Sequence, residues 1–264
     1  MRVPIVADVA PVSVTFFTDP YSPWCWAAEP QLRRLQVEFG EGLAFTFVIV
    51  GLHRTIGPAE AGALALACLD AADASGMPVD PRVFLRDPPS STHPAGLALA
   101  AVSEQGDPSR FLRRLREAIL LEGRRMDTAP ALLDAAREAG GLDVERLKVD
   151  FASNAIVERY GDDLERGRGV EVPAYAFGDR VAVSAREPYE RLRGEAVAAG
   201  AEPAARPRPG VEEAIARFGA LTAPEVAAAC DLPGPRAPAE LWRLALEWRL
   251  RPRPVLGGHL WQAA

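Results

Sequence analysis

The chain has 264 residues, of which 48% are apolar and 25% charged, and its formal net charge is −6. These values exclude a disordered or fibrous protein and allow a full hydrophobic core with room for a small second unit. The negative net charge argues against attraction of the whole molecule to nucleic acid or to an anionic membrane. Three widely spaced cysteines, Cys25, Cys68 and Cys230, form neither a disulfide framework nor a metal-ligand cluster.

The N-terminal stretch MRVPIVADVAPVSVTFF lacks a basic segment followed by a long apolar stretch and a small-residue cleavage site. We therefore predict no signal peptide and no membrane span. Because three unpaired cysteines suit a reducing compartment, we expect a cytoplasmic protein.

The first elements in chain order predict a βαβ unit. Residues 12–18 are rich in β-branched and aromatic side chains and predict a strand, and the apolar run 43–50 predicts a strand buried on both faces. A helix from Pro23 to about Phe39 lies between them, so we expect parallel, right-handed pairing. The loop 51–57 then leaves the carboxyl end of the second strand, where open α/β sheets place ligands.

The start of that first helix has the sequence Ser22-Pro23-Trp24-Cys25. Ser22 is a favourable N-cap, and Pro23 suits the first helical position because its missing N–H has no partner there. Cys25 would then lie in the first turn, where free N–H groups and the helix dipole favour an anion. This setting predicts a lowered pKa for the Cys25 thiol.

Helical patterns dominate the middle of the chain, and the C-terminal part has its own pattern. We predict helices over 58–74, 94–105, 108–122, 128–139, 144–151, 153–166 and 188–199, with strands at 175–177 and 181–184. Residues 201–210 are rich in proline and alanine and indicate a linker. Residues 211–264 predict helices at 211–218, 224–229 and 239–250 followed by a short hairpin, a pattern typical of a winged-helix-like unit. Six arginines balance six acidic residues there, so nucleic acid is a poor partner.

Two segments carry a family resemblance. Ser22-Pro23-Trp24-Cys25 resembles the Cys-Pro-x-Cys motif of the DsbA-like branch of the thioredoxin superfamily, and Val172-Pro173 resembles the cis-proline segment of that branch. FrnE-type oxidoreductases use Cys-Pro-Trp-Cys, whereas kappa-class glutathione transferases and 2-hydroxychromene-2-carboxylate isomerases use Ser-Pro-Tyr-Ser. The resemblance implies an α/β fold: a thioredoxin-like domain over residues 1–200, with a helical insertion at about 58–168.

The resemblance also implies site residues. Ser22 occupies the position of the attacking cysteine and Cys25 that of the shielded resolving cysteine, so these two are the catalytic candidates. The candidates for binding a thiol or a substrate are Pro23, Trp24, Val172 and Pro173. Two further candidates, His53 and Trp26, have simpler interpretations as a loop histidine and a packed aromatic residue. We expect no metal site.

Three functions remain open on the sequence. The first is a thiol–disulfide oxidoreductase or isomerase using Cys25, and the second is a kappa-type glutathione-dependent transferase or isomerase using Ser22. Both imply a small thiol or a protein thiol as substrate, with no tightly bound cofactor beyond glutathione or another low-molecular-weight thiol. The third is a non-catalytic adaptor, since DsbA-like proteins include adaptors that deliver clients to a protease. Residues 211–264 would then be the surface for a protein partner.

Overall fold

A four-stranded sheet organises the N-terminal part of the chain. The computed structural model describes residues 10–264, so the prediction about a signal peptide concerns in part residues 1–9, outside the described range. The strands are β1 (Val12–Thr18), β2 (Leu43–Ile49), β3 (Ala174–Phe177) and β4 (Val183–Ser184). The strand order is β2-β1-β3-β4, with β2 parallel and β3 antiparallel to β1. The α/β thioredoxin-like fold is thereby confirmed.

The helix expected from Pro23 to Phe39 is two helices, so that prediction is wrong in one respect. α1 (Pro23–Ala27) ends at Ala28, and α2 (Glu29–Phe39) begins directly afterwards. Pro30 accounts for the break, because it has no N–H to donate to the carbonyl of Trp26 and its ring disfavours a continuous helix.

The helical insertion packs against one face of the sheet and has its own large core. Leu99, Leu115 and Ile119 are fully buried there, together with Trp26 from α1. Residues 77–92, between two predicted helices, contain one short helix, and β4 is shorter than the strand predicted at 181–184. The helices of the insertion and the last helix of the domain are α3 (Pro58–Ser75), α4 (Arg82–Arg86), α5 (His93–Ser103), α6 (Ser109–Leu120), α7 (Ala129–Ala139), α8 (Val144–Asp150), α9 (Asn154–Arg166) and α10 (Tyr189–Ala198).

Among the described strands, β2 lies at one edge of the sheet. At its end, the Ile49 N–H donates to the carboxylate of Asp163 on α9 over 3.3 Å. Burial raises the pKa of this carboxyl group. The insertion therefore holds the outer strand through a buried side chain as well as through apolar packing.

Residues 201–210 have no helix or strand, as expected for a connecting segment, but they are held against α2. Ala201 is buried, and the Ala204 N–H donates to the Glu38 carbonyl over 2.7 Å. Arg208 donates to the Glu38 carboxylate over 3.0 Å. These contacts fix the direction in which the chain leaves the thioredoxin-like domain.

The C-terminal residues form a winged-helix-like unit of three helices and a three-stranded sheet with strand order β5-β7-β6. Its last helix ends at Leu246 and not at Leu250, because the chain reverses at Trp248 with a φ of 59° and then enters a strand. The elements are α11 (Val211–Phe218), β5 (Leu221–Thr222), α12 (Ala223–Cys230), α13 (Arg236–Leu246), β6 (Leu250–Val255) and β7 (Gly258–Ala263).

Buried ion pairs join this unit to the thioredoxin-like domain. Glu225 on α12 is fully buried and accepts from Arg113 on α6 over 2.6 Å and from Arg33 on α2 over 3.4 Å. Arg33 also bonds Glu29 over 2.7 Å, and Glu29 bonds the buried Arg116. Because a buried charge is costly without a partner, this network requires the two units to lie together.

Candidate functional site

The site begins at the turn between β1 and α1. The Ser22 hydroxyl accepts a hydrogen bond from the Cys25 N–H over 3.2 Å, as expected of an N-cap, and Pro23 occupies the first helical turn. The Asp19 carboxylate accepts from the Tyr21 N–H over 2.8 Å and from the Leu52 N–H over 3.0 Å. Asp19 therefore builds the turn and also fastens it to the loop that follows β2.

Cys25 is fully buried, and its thiol is free. Its side chain packs in an apolar cluster with Phe17, Val48, Val172 and Ala174. A thiol in such surroundings is protected from dissolved reagents and loses the hydration that stabilises a thiolate.

The lowered pKa predicted for Cys25 is wrong. Burial raises the pKa of this thiol. The charge of Arg116, the hydroxyls of Ser22 and Thr18 and the backbone of Asp19 act in the opposite direction and do not outweigh it. The position at a helix start is as expected, but the loss of water around the sulfur is the larger effect.

The structure brings the two segments of the predicted site together. The Val172–Pro173 peptide bond is cis, and Val172 shares the apolar cluster of Cys25. The Pro173 carbonyl accepts from the Ala185 N–H over 2.8 Å. Within residues 10–264, the backbone of Val172 has no hydrogen-bond partner, and the residue is buried.

Trp24 lies at the accessible side of this site. Its ring is half-buried, and the Arg186 guanidinium stacks on it with 3.9 Å between the guanidinium carbon and the ring centre. Both side chains border an open groove of about 360 Å³. The remaining residues of the groove are Ala27, Ala28, Pro30, Gln31, Ala74, Ser75 and Ala185.

The two further candidates, Trp26 and His53, lie in different surroundings. Trp26 is fully buried, and its indole N–H donates to the Pro78 carbonyl over 2.8 Å. The His53 carbonyl accepts from the Thr92 N–H over 3.0 Å, which joins two loops. The structure therefore corrects the candidate role of Trp26, which lies in the core. His53 lies in the loop after β2 and contributes its backbone carbonyl there.

Arg116 and its partner Glu29 lie beside the site, and no sequence motif marks either residue. Arg116 is buried on α6 and donates to the Thr18 hydroxyl and to Glu29. Arg116, Arg33 and Arg113 outweigh the effect of burial and hold the pKa of Glu29 well below its ordinary value. For Asp19 the effect of burial is larger than that of its hydrogen bonds and of the Arg116 charge, and burial raises the pKa of Asp19 to about 6. Arg116 is one of several arginines in its helix, so only the tertiary contact distinguishes it.

Among residues 10–264, no three His, Cys, Asp or Glu side chains converge as a metal site would require. In the same range, no helix combines the length and apolar character needed to cross a bilayer.

The fold and the cis-proline turn define a class of protein, and comparison with known proteins identifies it. A family model described as Thioredoxin matches residues 16–176, and the chain belongs to this family. The matched range includes both the Ser-Pro-Trp-Cys motif at residues 22–25 and the cis-proline at residue 173.

Two relatives are named ClpXP adapter protein SpxH. The one from Halalkalibacterium halodurans is 28% identical over 274 residues, covering 96% of this chain and 89% of the relative. The one from Bacillus subtilis is 28% identical over 272 residues, with the same two coverages. The likeness therefore extends past residue 176 and includes most of the C-terminal unit.

Solved structures show the same fold. A putative protein disulfide isomerase from Nitrosomonas europaea has a TM-score of 0.63 and 19% identity, over 71% of this chain and 97% of that one. A probable DsbA oxidoreductase from Streptomyces coelicolor has a TM-score of 0.57 and 18% identity, over 84% and 100% of the two chains. At these identities the likeness concerns the fold alone.

Proposed function

We propose that this chain is a thioredoxin-fold adaptor of the cytoplasm, which binds other proteins and delivers them to a protease such as ClpXP. The observation that carries the proposal is the lone, fully buried Cys25. Thiol–disulfide exchange needs a thiolate that reaches a disulfide sulfur, and a second thiol to complete the cycle within one protein. Ser22 stands where that second thiol would be.

The sequence alone ranks a thiol oxidoreductase first and an adaptor third, and the adaptor now has the stronger support. Burial of the Cys25 thiol argues against thiol–disulfide exchange as the function. The two relatives are named as adapters, and their likeness spans nearly the whole of each chain. The DsbA-like fold would then serve as a binding scaffold, since a fold can keep its shape while its site changes function.

Binding to purified ClpXP tests the proposal. We expect the full chain to bind the immobilised protease, and we expect Cys25→Ala to bind with unchanged affinity, with Cys68→Ala as the matched buried-cysteine control. We also expect no reduction of a disulfide substrate such as insulin. Absence of binding, or disulfide reduction that depends on Cys25, would overturn the adaptor function.

A second candidate is a thiol-dependent enzyme, and one observation favours it. The groove bordered by Trp24 and Arg186 offers an aromatic face and a positive charge. Glutathione presents a peptide backbone and carboxylates that suit these groups. In the kappa-type form the Ser22 hydroxyl would donate to the bound thiolate. In the oxidoreductase form the Cys25 thiolate would attack a disulfide such as oxidised glutathione, forming a mixed disulfide and releasing one thiolate.

Variants of the two residues separate these forms. Turnover of a thiol substrate that Ser22→Ala abolishes and Cys25→Ala preserves would indicate the kappa-type form. The reverse result, together with a small-thiol adduct on Cys25 in protein purified without reductant, would indicate the oxidoreductase. If glutathione neither binds nor reacts, the candidate is removed.

A further inference from the structure

Three apolar side chains are unusually exposed at the end of α13. Trp248 is 88% exposed, Leu246 80% and Trp242 46%. Trp242 and Leu246 are one helical turn apart and so lie on the same face, and Trp248 follows in the turn that ends the helix. We call these three residues the tryptophan patch. Large apolar side chains grouped in this way are uncommon on a free surface and mark interaction sites.

The backbone conformation of Trp248 is also unusual for an exposed, bulky residue. Its φ is 59°, in the left-handed region that glycine favours and bulky residues avoid. The turn itself is ordinary, because the next N–H, of Arg249, donates to the Leu244 carbonyl and closes the helix end. Glycine would satisfy this turn with less strain. A bulky, exposed tryptophan therefore contributes little to the fold at this position, which points to binding.

The patch is firmly attached to the unit beneath it. The ring of Trp242 contacts that of the buried Trp261 edge to face, with 4.9 Å between their centres. The charged neighbours largely neutralise one another, since Arg243 bonds Glu240 and Glu247. A rigid apolar surface with a balanced charged rim favours an apolar ligand over a charged one.

The size of the patch limits what it can bind. An aromatic side chain buries about 150–250 Å², so the three residues offer on the order of 500 Å². A stable interface between two folded proteins needs about 800 Å² from each partner. The patch is too small for a lasting dimer of this chain and is suited to a short segment, in which two or three side chains supply most of the binding energy.

We propose that the tryptophan patch docks a short apolar segment of a partner protein. The inference deepens the proposed adaptor function and rests on it, since an adaptor needs a surface that holds a protein partner. The segment is recognised by apolar side chains that contact Trp242, Leu246 and Trp248.

The chain offers a matched pair of variants for the test. Asp231 also has a positive φ, of 54°, at an exposed helix end, and the Leu232 N–H closes that turn onto the Ala227 carbonyl as Arg249 does after Trp248. Trp248→Gly and Asp231→Gly therefore make the same backbone change with and without loss of the patch. We expect Trp248→Gly to raise the melting temperature by about 2–4 °C, so that a loss of binding would not reflect unfolding.

The probe is a displayed library of short random peptides, selected on the immobilised full chain. We expect enrichment of apolar peptides, about tenfold or greater weakening by Trp248→Gly and unchanged affinity for Asp231→Gly. Leu246→Gln, which keeps a good helix former at an exposed position, should also weaken binding. Failure to enrich apolar peptides, or equal affinity in Trp248→Gly, would overturn the inference. So would a dimer of the wild type that Trp248→Gly dissociates.

The outcome is separable from that of the proposed function. If peptides bind the patch but the full chain does not bind ClpXP, the adaptor function fails and the docking surface remains. If ClpXP binds wild type and Trp248→Gly equally and no peptide is enriched, the docking surface fails and the adaptor function remains.

Discussion

At Cys25 two physical effects oppose each other. The helix start, the nearby hydroxyls and the Arg116 charge favour a thiolate, whereas complete removal from water disfavours it. In a two-cysteine site the first sulfur is exposed and benefits from the helix start. This chain has a serine at that place, so its only sulfur in the motif lies one turn deeper, where burial has the larger effect.

Alkylation measures this balance directly. We expect iodoacetamide to leave the native protein unmodified at pH 8, because Cys25, Cys68 and Cys230 are all buried and burial raises the pKa of each. In urea all three should react, and mass spectrometry would count the adducts. Rapid native modification at Cys25 would contradict the closed site and return the thiol oxidoreductase to first place.

Asp19 gives a second prediction at the residue scale. Burial raises its pKa from 3.8 to about 6, so between these values the folded protein holds a proton that the unfolded chain releases. Its contribution to the free energy of unfolding therefore increases as the pH falls from about 7 to 4, by up to about 3 kcal/mol. Above that range the buried charge is fully destabilising.

Comparison with Asp19→Asn isolates the effect. Urea unfolding at several pH values should show the wild type gaining stability relative to the variant as the pH falls. Burial lowers the pKa of His93, but His93 is common to both proteins and does not affect the comparison. A difference between the two that does not change with pH would show that Asp19 titrates normally.

At the scale of elements, local sequence patterns predicted most of the secondary structure. They failed where a distant contact or a single proline determines the conformation of the chain. The strand–helix–strand order, the Ser22 cap and the meeting of residue 25 with residues 172–173 were all accessible from the sequence. The break at Ala28 follows from Pro30, but the apolar pattern continues across it and favours a single helix. Burial of Cys25 and the role of Arg116 depend on tertiary packing that no local pattern encodes.

A substitution at Glu225 tests how much the buried ion pairs between α12 and the helices α2 and α6 contribute to stability. Glu225→Gln removes a fully buried carboxylate, so that three arginines of the network, Arg33, Arg113 and Arg116, share only Glu29 and Glu117 as partners. We expect a loss of about 3–5 kcal/mol in the free energy of unfolding. Glu240→Gln, in an exposed pair with Arg243, should change it by less than about 1 kcal/mol. Equal effects of the two variants in urea unfolding would contradict the structural importance of the buried network.

At the scale of the whole molecule, two units with separate apolar cores share one ion network. The C-terminal core contains Trp261, the insertion core contains Trp26, and Leu260 from the C-terminal strand reaches into the insertion core. The connecting segment is held on Glu38 as well. These contacts make independent movement of the two units costly.

We therefore expect one cooperative unfolding transition for the full chain. Tryptophan fluorescence, far-UV circular dichroism and hydrogen exchange in both cores should give the same midpoint in urea. Glu225→Gln should separate the transitions, with the C-terminal unit losing exchange protection first. Two transitions in the wild type would show that the units are energetically independent.

The carboxylate of Asp163 has a consequence beyond the single molecule. An outer strand such as β2 exposes backbone groups to which a strand from another chain can add, which is a common route to aggregation. Because Asp163 already occupies the Ile49 N–H, an approaching strand would meet an acceptor where it needs a donor. A single inward-facing acid thus helps to keep this protein from polymerising through its sheet at the concentrations of a crowded cell.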